Sequence, residues 1–272
     1  MKSVSRNITT ASGSQNKFSD FMASATAKRM ITETVGKKSD QFTTAIVAAV
    51  SQNPQIGNCK HFTILSAALQ GAALDLSPSP TLGHFYMVPY KDSAVFQLGY
   101  RGYIQLAIRS GQYRKINVLD IREGELLGWN PMSEQISVDI IENDEVRSKL
   151  PVIGYYAMFE LTNGFQKSMY WSKEKMVAHA QTYSKAYNRD DSFWKKDFDV
   201  MAYKTMLRQL LSKWGVLSIE MQTAIDKDMS VIDGHAVTYV DNDLIDVSGS
   251  APAPVIEIPQ QQQDDPVSAF FS

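Results

Sequence analysis

The stretch FQLGYRGYIQLAIRSGQYRKINVLDIREGEL, residues 96–126, combines a strand, a helix and a second strand in close succession. Its first residues end an aromatic and β-branched run that is typical of a strand. Residues 101–111 then follow a helical pattern, with Gly111 placed as the C-terminal cap. Residues 113–121 return to strand character. The stretch therefore predicts a domain in which strands and helices are mixed.

Upstream of this stretch the sequence predicts helices and then a hairpin. Helical patterns cover residues 40–53 and 61–76, and each ends before a proline. The runs HFYMVPY and AVFQLGY are separated by KDS, and polar turn residues between two such runs predict a β-hairpin. Both helices therefore precede the first strands.

Downstream, a second hairpin and further helices are predicted. Asn163-Gly164 is the strongest hairpin signal in the chain and joins strand patterns at residues 151–161 and 165–171. The other predicted elements are a strand at residues 135–141 and helices at 172–183, 193–214 and 219–229. Taken together, the pattern predicts the α+β class, with antiparallel β-hairpins forming a sheet that packs with helices.

Charge is unevenly distributed along the 272 residues. The chain has 27 basic and 29 acidic side chains, but ten acids and only one base follow residue 218, which leaves about +7 before that point and −9 after it. A basic body indicates a polyanionic partner. We predict a mobile N-terminal segment over residues 1–30, a folded domain over 31–230 and a disordered acidic tail over 231–272.

Several classes of protein and site are disfavoured by the sequence. Gly36-Lys37-Lys38 fails as a phosphate loop because Ile31 and Lys38 stand where Gly and Ser or Thr are required. The four histidines lack metal-ligand spacing. We expect no enzyme activity, no metal and no cofactor. With a single cysteine, no secretory leader and no run of about 20 apolar residues, we also expect a cytoplasmic protein that does not enter membranes.

The predicted helix after the first hairpin has one polar, basic face. Arg101, Gln105 and Arg109 follow i, i+4, i+8 spacing and fall on that face. Basic side chains can contact phosphates, and the flanking Tyr100 and Tyr103 can stack on unpaired bases. A solvated amphipathic face with tyrosines in the core fits the same spacing, so both interpretations remain open.

A second basic and aromatic combination lies in the predicted helix at residues 193–214. Lys204 and Arg208 are four residues apart and repel each other by a few tenths of a kcal/mol unless an anion lies along the helix. Trp194, Lys195 and Lys196 stand at the front of the same segment. A single-strand groove requires such interleaving, but a basic helix that faces an acidic protein partner fits equally well.

Residues 96–126 strongly resemble the RecT family of phage and prophage single-strand annealing proteins. The similarity continues through LDLSPSPTLGHFYMVPYKD upstream, and through residues 150–185 and the segment WKKDFDVMAYKTMLRQLLSKW downstream. It covers about residues 40–215. The resemblance implies binding of single-stranded DNA, annealing of complementary strands without ATP in homologous recombination, and assembly into rings or helical filaments. It also implies an annealed duplex intermediate, a 5′→3′ exonuclease partner and contact with the host single-strand-binding protein.

The resemblance also implies where DNA is bound. It implies no catalytic residue and no required cofactor, and Mg²⁺ is at most an aid to annealing. Together with the basic and aromatic positions above, it gives thirteen candidate DNA contacts: Lys91, Gln97, Tyr100, Arg101, Tyr103, Gln105, Arg109, Arg114, Lys115, Lys195, Lys196, Lys204 and Arg208.

Two alternatives to an annealing protein are kept. One is a metal-dependent nuclease whose ligands are not evident in the sequence, and the other is a phage structural protein that self-assembles without DNA. The segment DDPVSAFF near the C-terminus is similar to the acidic and aromatic tip of bacterial single-strand-binding proteins. It either docks a partner or regulates access to the basic groove, and a solubilising tail is the simpler alternative.

Overall fold

The computed structural model of the chain describes residues 17–190, 192–233 and 236–239. The predictions of a mobile N-terminus and a disordered acidic tail fall mostly on residues outside these ranges. Residues 17–30, however, belong to the folded body, because residues 17–23 are helical and Phe18 and Met22 are buried. The Phe18 ring lies 6.3 Å from Phe21 and 5.6 Å from His61, so this segment packs on the core ahead of the expected boundary at residue 31.

The helices predicted from residue 40 onward are present and in the predicted order, whereas the helix at Ala25–Val35 was not predicted. The longer ones are α1 (Ala25–Val35), α2 (Ser39–Gln52), α3 (His61–Ala73), α4 (Tyr100–Arg109), α5 (Lys173–Tyr183), α6 (Phe198–Trp214) and α7 (Ile219–Lys227). Shorter helical segments are Gly36–Lys38, Pro54–Gly57, Asp144–Arg147 and Phe193–Lys196. In the part of the chain that the structure describes, no helix has the length and apolar character needed to cross a bilayer.

The single helix predicted over residues 193–214 is divided at Asp197. This residue leaves helical geometry, with φ of −151° and ψ of 74°. Its side chain accepts a hydrogen bond from the backbone N–H of Val200, so it caps α6. The division turns Phe193–Lys196 into a separate turn at the front of α6, in front of the β1–β2 hairpin.

The strands form antiparallel sheets, as the sequence predicted. Their bounds are β1 (Phe85–Tyr90), β2 (Ser93–Leu98), β3 (Tyr113–Arg122), β4 (Leu126–Asn130), β5 (Gln135–Val138), β6 (Val152–Leu161), β7 (Gln166–Ser172), β8 (Ser230–Asp233) and β9 (Ala236–Tyr239). The sheet orders are β1-β2-β8-β9, β3-β6-β7 and β4-β5. The α+β class is therefore confirmed. Strand β4 was not predicted, and β8 and β9 lie at the edge of the region expected to be a disordered tail.

Both predicted hairpins are present. Tyr90 pairs with Ser93 across the first turn, where Lys91 has a φ of 54°. The second turn lies between β6 and β7, and its Gly164 has a φ of 86°, a value that glycine adopts without strain. Asn163 Oδ1 accepts a hydrogen bond from the N–H of Phe165 at 2.9 Å. Local turn residues thus determine the register of both hairpins.

Helix α4 lies unusually close to the start of β1. A Cβ atom added at Gly102 would lie 2.2 Å from the carbonyl oxygen of His84, and one added at Gly99 would lie 2.2 Å from that of Gly83. Only glycine permits this approach. The contact holds the first turn of α4, with Tyr100 and Arg101, beside the β1–β2 hairpin.

A charged network joins the end of β3 to α6. The Tyr203 hydroxyl donates a 2.6 Å hydrogen bond to Asp120 Oδ1, and Arg122 Nε donates to Asp120 Oδ2 at 2.8 Å. Arg147 donates to the fully buried Glu125 at 2.6 Å. Because a buried carboxylate is costly unless it is paired, these contacts hold the segment around Arg147 against the body.

Candidate nucleic-acid interface

Two adjoining depressions lie between the β1–β2 hairpin and residues 184–201, and we call them together the aromatic-basic groove. Both are lined by Gln97, Phe193, Lys196 and Met201, which makes them continuous. The aromatic residues along the groove are Tyr86, Tyr90, Tyr100, Phe193 and Trp194.

The alternation of β1 places two of these rings in the groove. Phe85 and Met87 are buried in the core, and the intervening Tyr86 points to the opposite face, as do Val88 and Tyr90. The ring of Tyr86 lies 6.2 Å from that of Phe193. Phe193 is held by a short helix that Ser192 caps through a hydrogen bond from the N–H of Lys195. The two walls of the groove therefore meet at an aromatic pair.

Basic side chains accompany these rings. Lys185, Arg189 and Lys196 line the first depression, and all three are exposed. Lys196 Nζ lies 5.9 Å from the centre of the Phe193 ring, and Lys195 Nζ lies 5.7 Å from that of Tyr187. Cations beside aromatic faces can bind phosphates while the rings stack on bases.

Two further predicted residues lie at the groove. Gln97 is nearly buried in its floor, with Nε2 3.6 Å from the sulfur of Met201. Arg101 is exposed and donates from Nε to the Tyr100 hydroxyl at 3.2 Å. Burial raises the pKa of Tyr86, and the nearby charge of Arg101 opposes that rise. Arg101 therefore extends the positive charge of the groove past Tyr100.

Lys204 and Arg208, two of the predicted DNA contacts, lie in the interior of the protein and not on its surface. Both are buried, with exposed fractions of 3% and 7%. Lys204 Nζ lies 2.9 Å and Arg208 Nη1 2.7 Å from Oδ2 of Asp228, while the N–H of Leu98 donates to Oδ1 at 2.9 Å. The anion that the i, i+4 pair requires is a carboxylate of the same chain. DNA contact by either side chain remains a prediction and requires that Asp228 be displaced.

Tyr103 is also placed differently from the expectation. Its side chain is fully buried in the core and offers no face to a base, because α4 turns it toward the interior. The helical spacing left open whether this tyrosine lies on the surface or in the protein core, and the structure places it in the core.

The remaining candidates are distributed around the groove and beyond it. Lys91 is exposed at the tip of the first hairpin, with Nζ 5.7 Å from the Tyr90 ring, and so extends one end of the groove. Arg109 donates to the carbonyl oxygens of Leu74 and Asp75 and thereby caps the end of α3.

Three further candidates are also not among the residues that line the groove. Arg114 lies on β3 and forms an ion pair with Glu160 at 2.9 Å. Lys115 is exposed on the same strand, and Gln105 is half-buried on α4. Their role in binding DNA stays untested.

Sequence reasoning missed several residues of the groove, namely Tyr86, Tyr90, Lys185, Arg189 and Phe193. The alternation in HFYMVPY signals that its tyrosines share one face. No local pattern indicates that residues 184–193 lie opposite that face, because this proximity comes from the tertiary fold.

Neither a metal-binding cluster nor a reactive thiol is evident in the part of the chain that the structure describes. Among the described residues, no three His, Cys, Asp or Glu side chains are grouped so as to hold a metal ion. Cys59 is buried, and burial together with the charge of Asp92 raises the pKa of its thiol to about 11. A thiol in that state is a poor nucleophile at neutral pH.

Comparisons with known proteins identify relatives of this chain. The uncharacterized protein YqaK of Bacillus subtilis (strain 168) is 40% identical over 248 residues, which cover 90% of this chain and 84% of that protein. Protein RecT of Escherichia coli (strain K12) is 32% identical over 184 residues, which cover 64% of this chain and 65% of that protein. The model of the RecT family matches residues 40–238, a span that includes the whole groove. Since that match covers well over half of the chain, the protein belongs to the RecT family.

Proposed function

We propose that the protein binds single-stranded DNA in the aromatic-basic groove and anneals it to a complementary strand, without ATP, during homologous recombination. Membership of the RecT family supports a role in recombination and annealing. The observation that carries the proposal is the lining of the groove, where Lys196 lies beside Phe193 and Phe193 meets Tyr86. Sequence-tolerant binding of single strands requires this combination of cations and stacking surfaces.

In the proposed mechanism, Lys185, Arg189 and Lys196 bind phosphates along one strand. Tyr86 and Phe193 stack on bases and keep that strand unpaired and extended. A second strand is then tested by Watson–Crick pairing, so the protein needs no side chains that read base edges. The protein contributes positioning and charge neutralisation, and we propose that it is not an enzyme.

The groove is lined on one side by the β1–β2 hairpin and on the other by residues 184–201, so one chain contacts only a short part of a strand and annealing of longer strands requires several protomers. We propose that the protein acts as a homo-oligomer, a ring or a helical filament, and holds the annealed duplex as an intermediate. We further propose that it acts in the cytoplasm of a bacterial or phage-infected cell, beside a 5′→3′ exonuclease and the host single-strand-binding protein.

A fluorescence annealing assay tests the proposal. Complementary oligonucleotides carrying a donor and a quencher are mixed with the full chain without ATP, with and without Mg²⁺. Rapid quenching is expected, and Lys196→Ala should slow it, whereas Lys149→Ala, an exposed lysine outside the groove, should not. Absence of acceleration by the wild-type protein would refute the proposal.

The same mixture separates the two alternatives. Shortening of a labelled strand in the presence of Mg²⁺ or Mn²⁺ would indicate a nuclease. Assembly of the protein that proceeds equally with and without DNA, and without annealing, would indicate a structural protein.

A further inference from the structure

We propose that the acidic segment at residues 241–271 docks in the aromatic-basic groove of its own chain and competes there with single-stranded DNA. The docking itself depends only on the chemistry of the segment and of the groove. The competition rests on the proposed function.

Charge complementarity is the first argument. Residues 240–272 contain six acids and no Lys, Arg or His. The described lining of the first depression contains Lys185, Arg189 and Lys196. A carboxylate accepts the same charge-assisted hydrogen bonds from Lys and Arg as a phosphate does. The segment therefore offers the groove the kind of anion that a DNA backbone offers.

Aromatic character is the second argument. Phe270 and Phe271 follow Asp264-Asp265 within a few residues. The groove presents the rings of Tyr90 and Phe193, with the sulfur atoms of Met201 and Met229 nearby in its lining. Aromatic rings and thioethers bind phenyl groups as well as bases. One short segment thus combines the two features by which an unpaired strand would be held, namely negative charge and planar rings.

The position at which the segment leaves the fold makes docking geometrically simple. Strand β9 ends at Tyr239 and is the third strand from β1 in the order β1-β2-β8-β9. At about 4.8 Å between neighbouring strands, β9 lies roughly 14 Å from β1. The 24 residues from 240 to 263 can span up to about 80 Å, so Asp264 reaches the groove easily.

Tethering also means that a weak contact is sufficient. A tethered segment has a local concentration on the order of 1 mM. A free-peptide Kd of about 1 mM would therefore leave the groove about half occupied, and a Kd of about 0.1 mM would leave it about nine-tenths occupied. Removal of the contact should raise the apparent affinity for DNA by about 2-fold in the first case and about 10-fold in the second.

The structure already contains one contact of this kind. Asp228, in the C-terminal part of the described chain, holds its carboxylate between Lys204 and Arg208, and Lys204 lines the floor of the second depression. The basic side chains of this region therefore accept a carboxylate from the C-terminal part of the same chain in one place, and the acidic segment brings further carboxylates to the exposed Lys185, Arg189 and Lys196.

The first experiment measures DNA affinity in the full chain. Binding of a fluorescent oligo(dT) is compared between wild type and the variant D264N/D265N/F270A/F271A. We expect the variant to bind about 2- to 10-fold more tightly, by the same factor at every protein concentration. The matched control Q261A/Q262A changes the same region without changing its charge or rings and should bind like wild type. Equal affinities, or a gain that depends on protein concentration, would overturn docking within one chain.

The second experiment needs no DNA. A labelled peptide of residues 256–272 is titrated with the full-length quadruple variant, whose own segment no longer competes. Binding that is lost in the additional variant Lys196→Ala but kept with Lys149→Ala would support the groove as the docking site. Absence of peptide binding, or binding that Lys196→Ala leaves unchanged, would overturn the proposal. If the peptide binds in this way but the protein has no affinity for oligo(dT), docking stands and the proposed function fails.

Discussion

Oδ2 of Asp228 lies 2.7 Å from Nη1 of Arg208, and both side chains are buried. Lys204 binds the same carboxylate from the preceding turn of α6, and the N–H of Leu98 binds its other oxygen. One side chain at the end of α7 thus joins α6 to β2. The following residue, Met229, has a φ of 64° and donates to the carbonyl oxygen of Phe96, which carries the chain into β8.

Asp228→Ala should destabilise the protein strongly. The substitution leaves Lys204 and Arg208 buried without this carboxylate, and breaking a buried ion pair costs about 3–5 kcal/mol. Urea unfolding followed by circular dichroism measures the loss. The control Asp226→Ala removes an exposed acid from the same helix and should change the free energy of unfolding by less than about 0.5 kcal/mol. Similar values for the two variants would show that the buried pair does not stabilise the fold.

Gly102→Ala should separate α4 from β1. The new methyl group would lie 2.2 Å from a backbone oxygen that cannot rotate away, so the helix itself must move. We expect a loss of at least about 1–3 kcal/mol in stability and weaker DNA binding, because Tyr100 and Arg101 move with the helix. Gly128→Ala, which has open space around it, is the matched control for the melting temperature. A Gly102→Ala variant with unchanged melting temperature would contradict the close contact.

The network around Asp120 and Glu125 should make the protein sensitive to acid. Burial raises the pKa of each carboxyl, but hydrogen bonds from Tyr203 and Arg122 to Asp120, and from Arg147 to Glu125, outweigh it and hold both pKa values below the usual 3.8 and 4.5. A carboxyl whose pKa is lower in the folded state than in the unfolded state stabilises the fold at pH values above its unfolded-state pKa. This stabilisation is lost as the pH falls through the folded-state pKa. The free energy of unfolding should therefore decline below about pH 4.5.

Arg147→Met provides the comparison for that pH profile. Without the guanidinium, the pKa of Glu125 is no longer held down, so the variant should be less stable at pH 7 and should lose less stability between pH 5 and pH 3. Urea unfolding at several pH values measures both the stability at pH 7 and the loss of stability between pH 5 and pH 3. Parallel profiles for the variant and the wild type would show that the network does not control acid stability.

Phe193→Ala should weaken binding of single strands. A ring that stacks on a base contributes about 1–3 kcal/mol, so the Kd for oligo(dT) should rise about 5- to 150-fold. Fluorescence anisotropy measures the affinity, and circular dichroism verifies the fold. Phe165→Ala removes an exposed ring from the β6–β7 turn, outside the groove, and should leave the affinity unchanged. Equal losses of affinity in the two variants would show that the ring of Phe193 does not stack specifically on a base.

Lys196→Ala should change the salt dependence of binding. Each phosphate that is neutralised on a single strand contributes about −0.7 to the slope of log K against log salt concentration. The variant should therefore lose about 0.7 of that slope, whereas Lys149→Ala should retain it. Titrations between 50 mM and 300 mM NaCl determine both slopes. An unchanged slope for Lys196→Ala would remove this lysine from the set of phosphate contacts.

The fold was largely predictable because its signals are local. Asn163-Gly164 specifies one hairpin, Ser172 caps α5 through the N–H of Lys175, and Gly111 ends α4 with a φ of 68°. The division at Asp197 was missed because a capping side chain outweighs the helical periodicity on both sides of it. Strands β8 and β9 were missed because the surrounding composition is acidic and polar.

The candidate site was less predictable because it depends on distant residues. Helical spacing correctly put Lys204 and Arg208 on one face of α6, but it cannot show that Asp228 occupies that face. The spacing around Tyr103 likewise fits a surface or a core tyrosine, and only the packing of α4 decides between them. Tyr86 and Phe193 are more than 100 residues apart in sequence, so their contact is a property of the fold alone.

The burial of Cys59 makes the chain suitable for site-specific chemical labelling. It is the single cysteine of the sequence, and with a thiol pKa of about 11 it remains almost entirely in the unreactive protonated form at neutral pH. A cysteine introduced at an exposed position in the lining of the groove, such as Gln55→Cys, would therefore react with maleimide reagents essentially alone and would leave the basic and aromatic residues of the groove in place. A spin label or photo-crosslinker attached there would report directly what occupies the groove, whether a nucleotide or a residue of the protein itself.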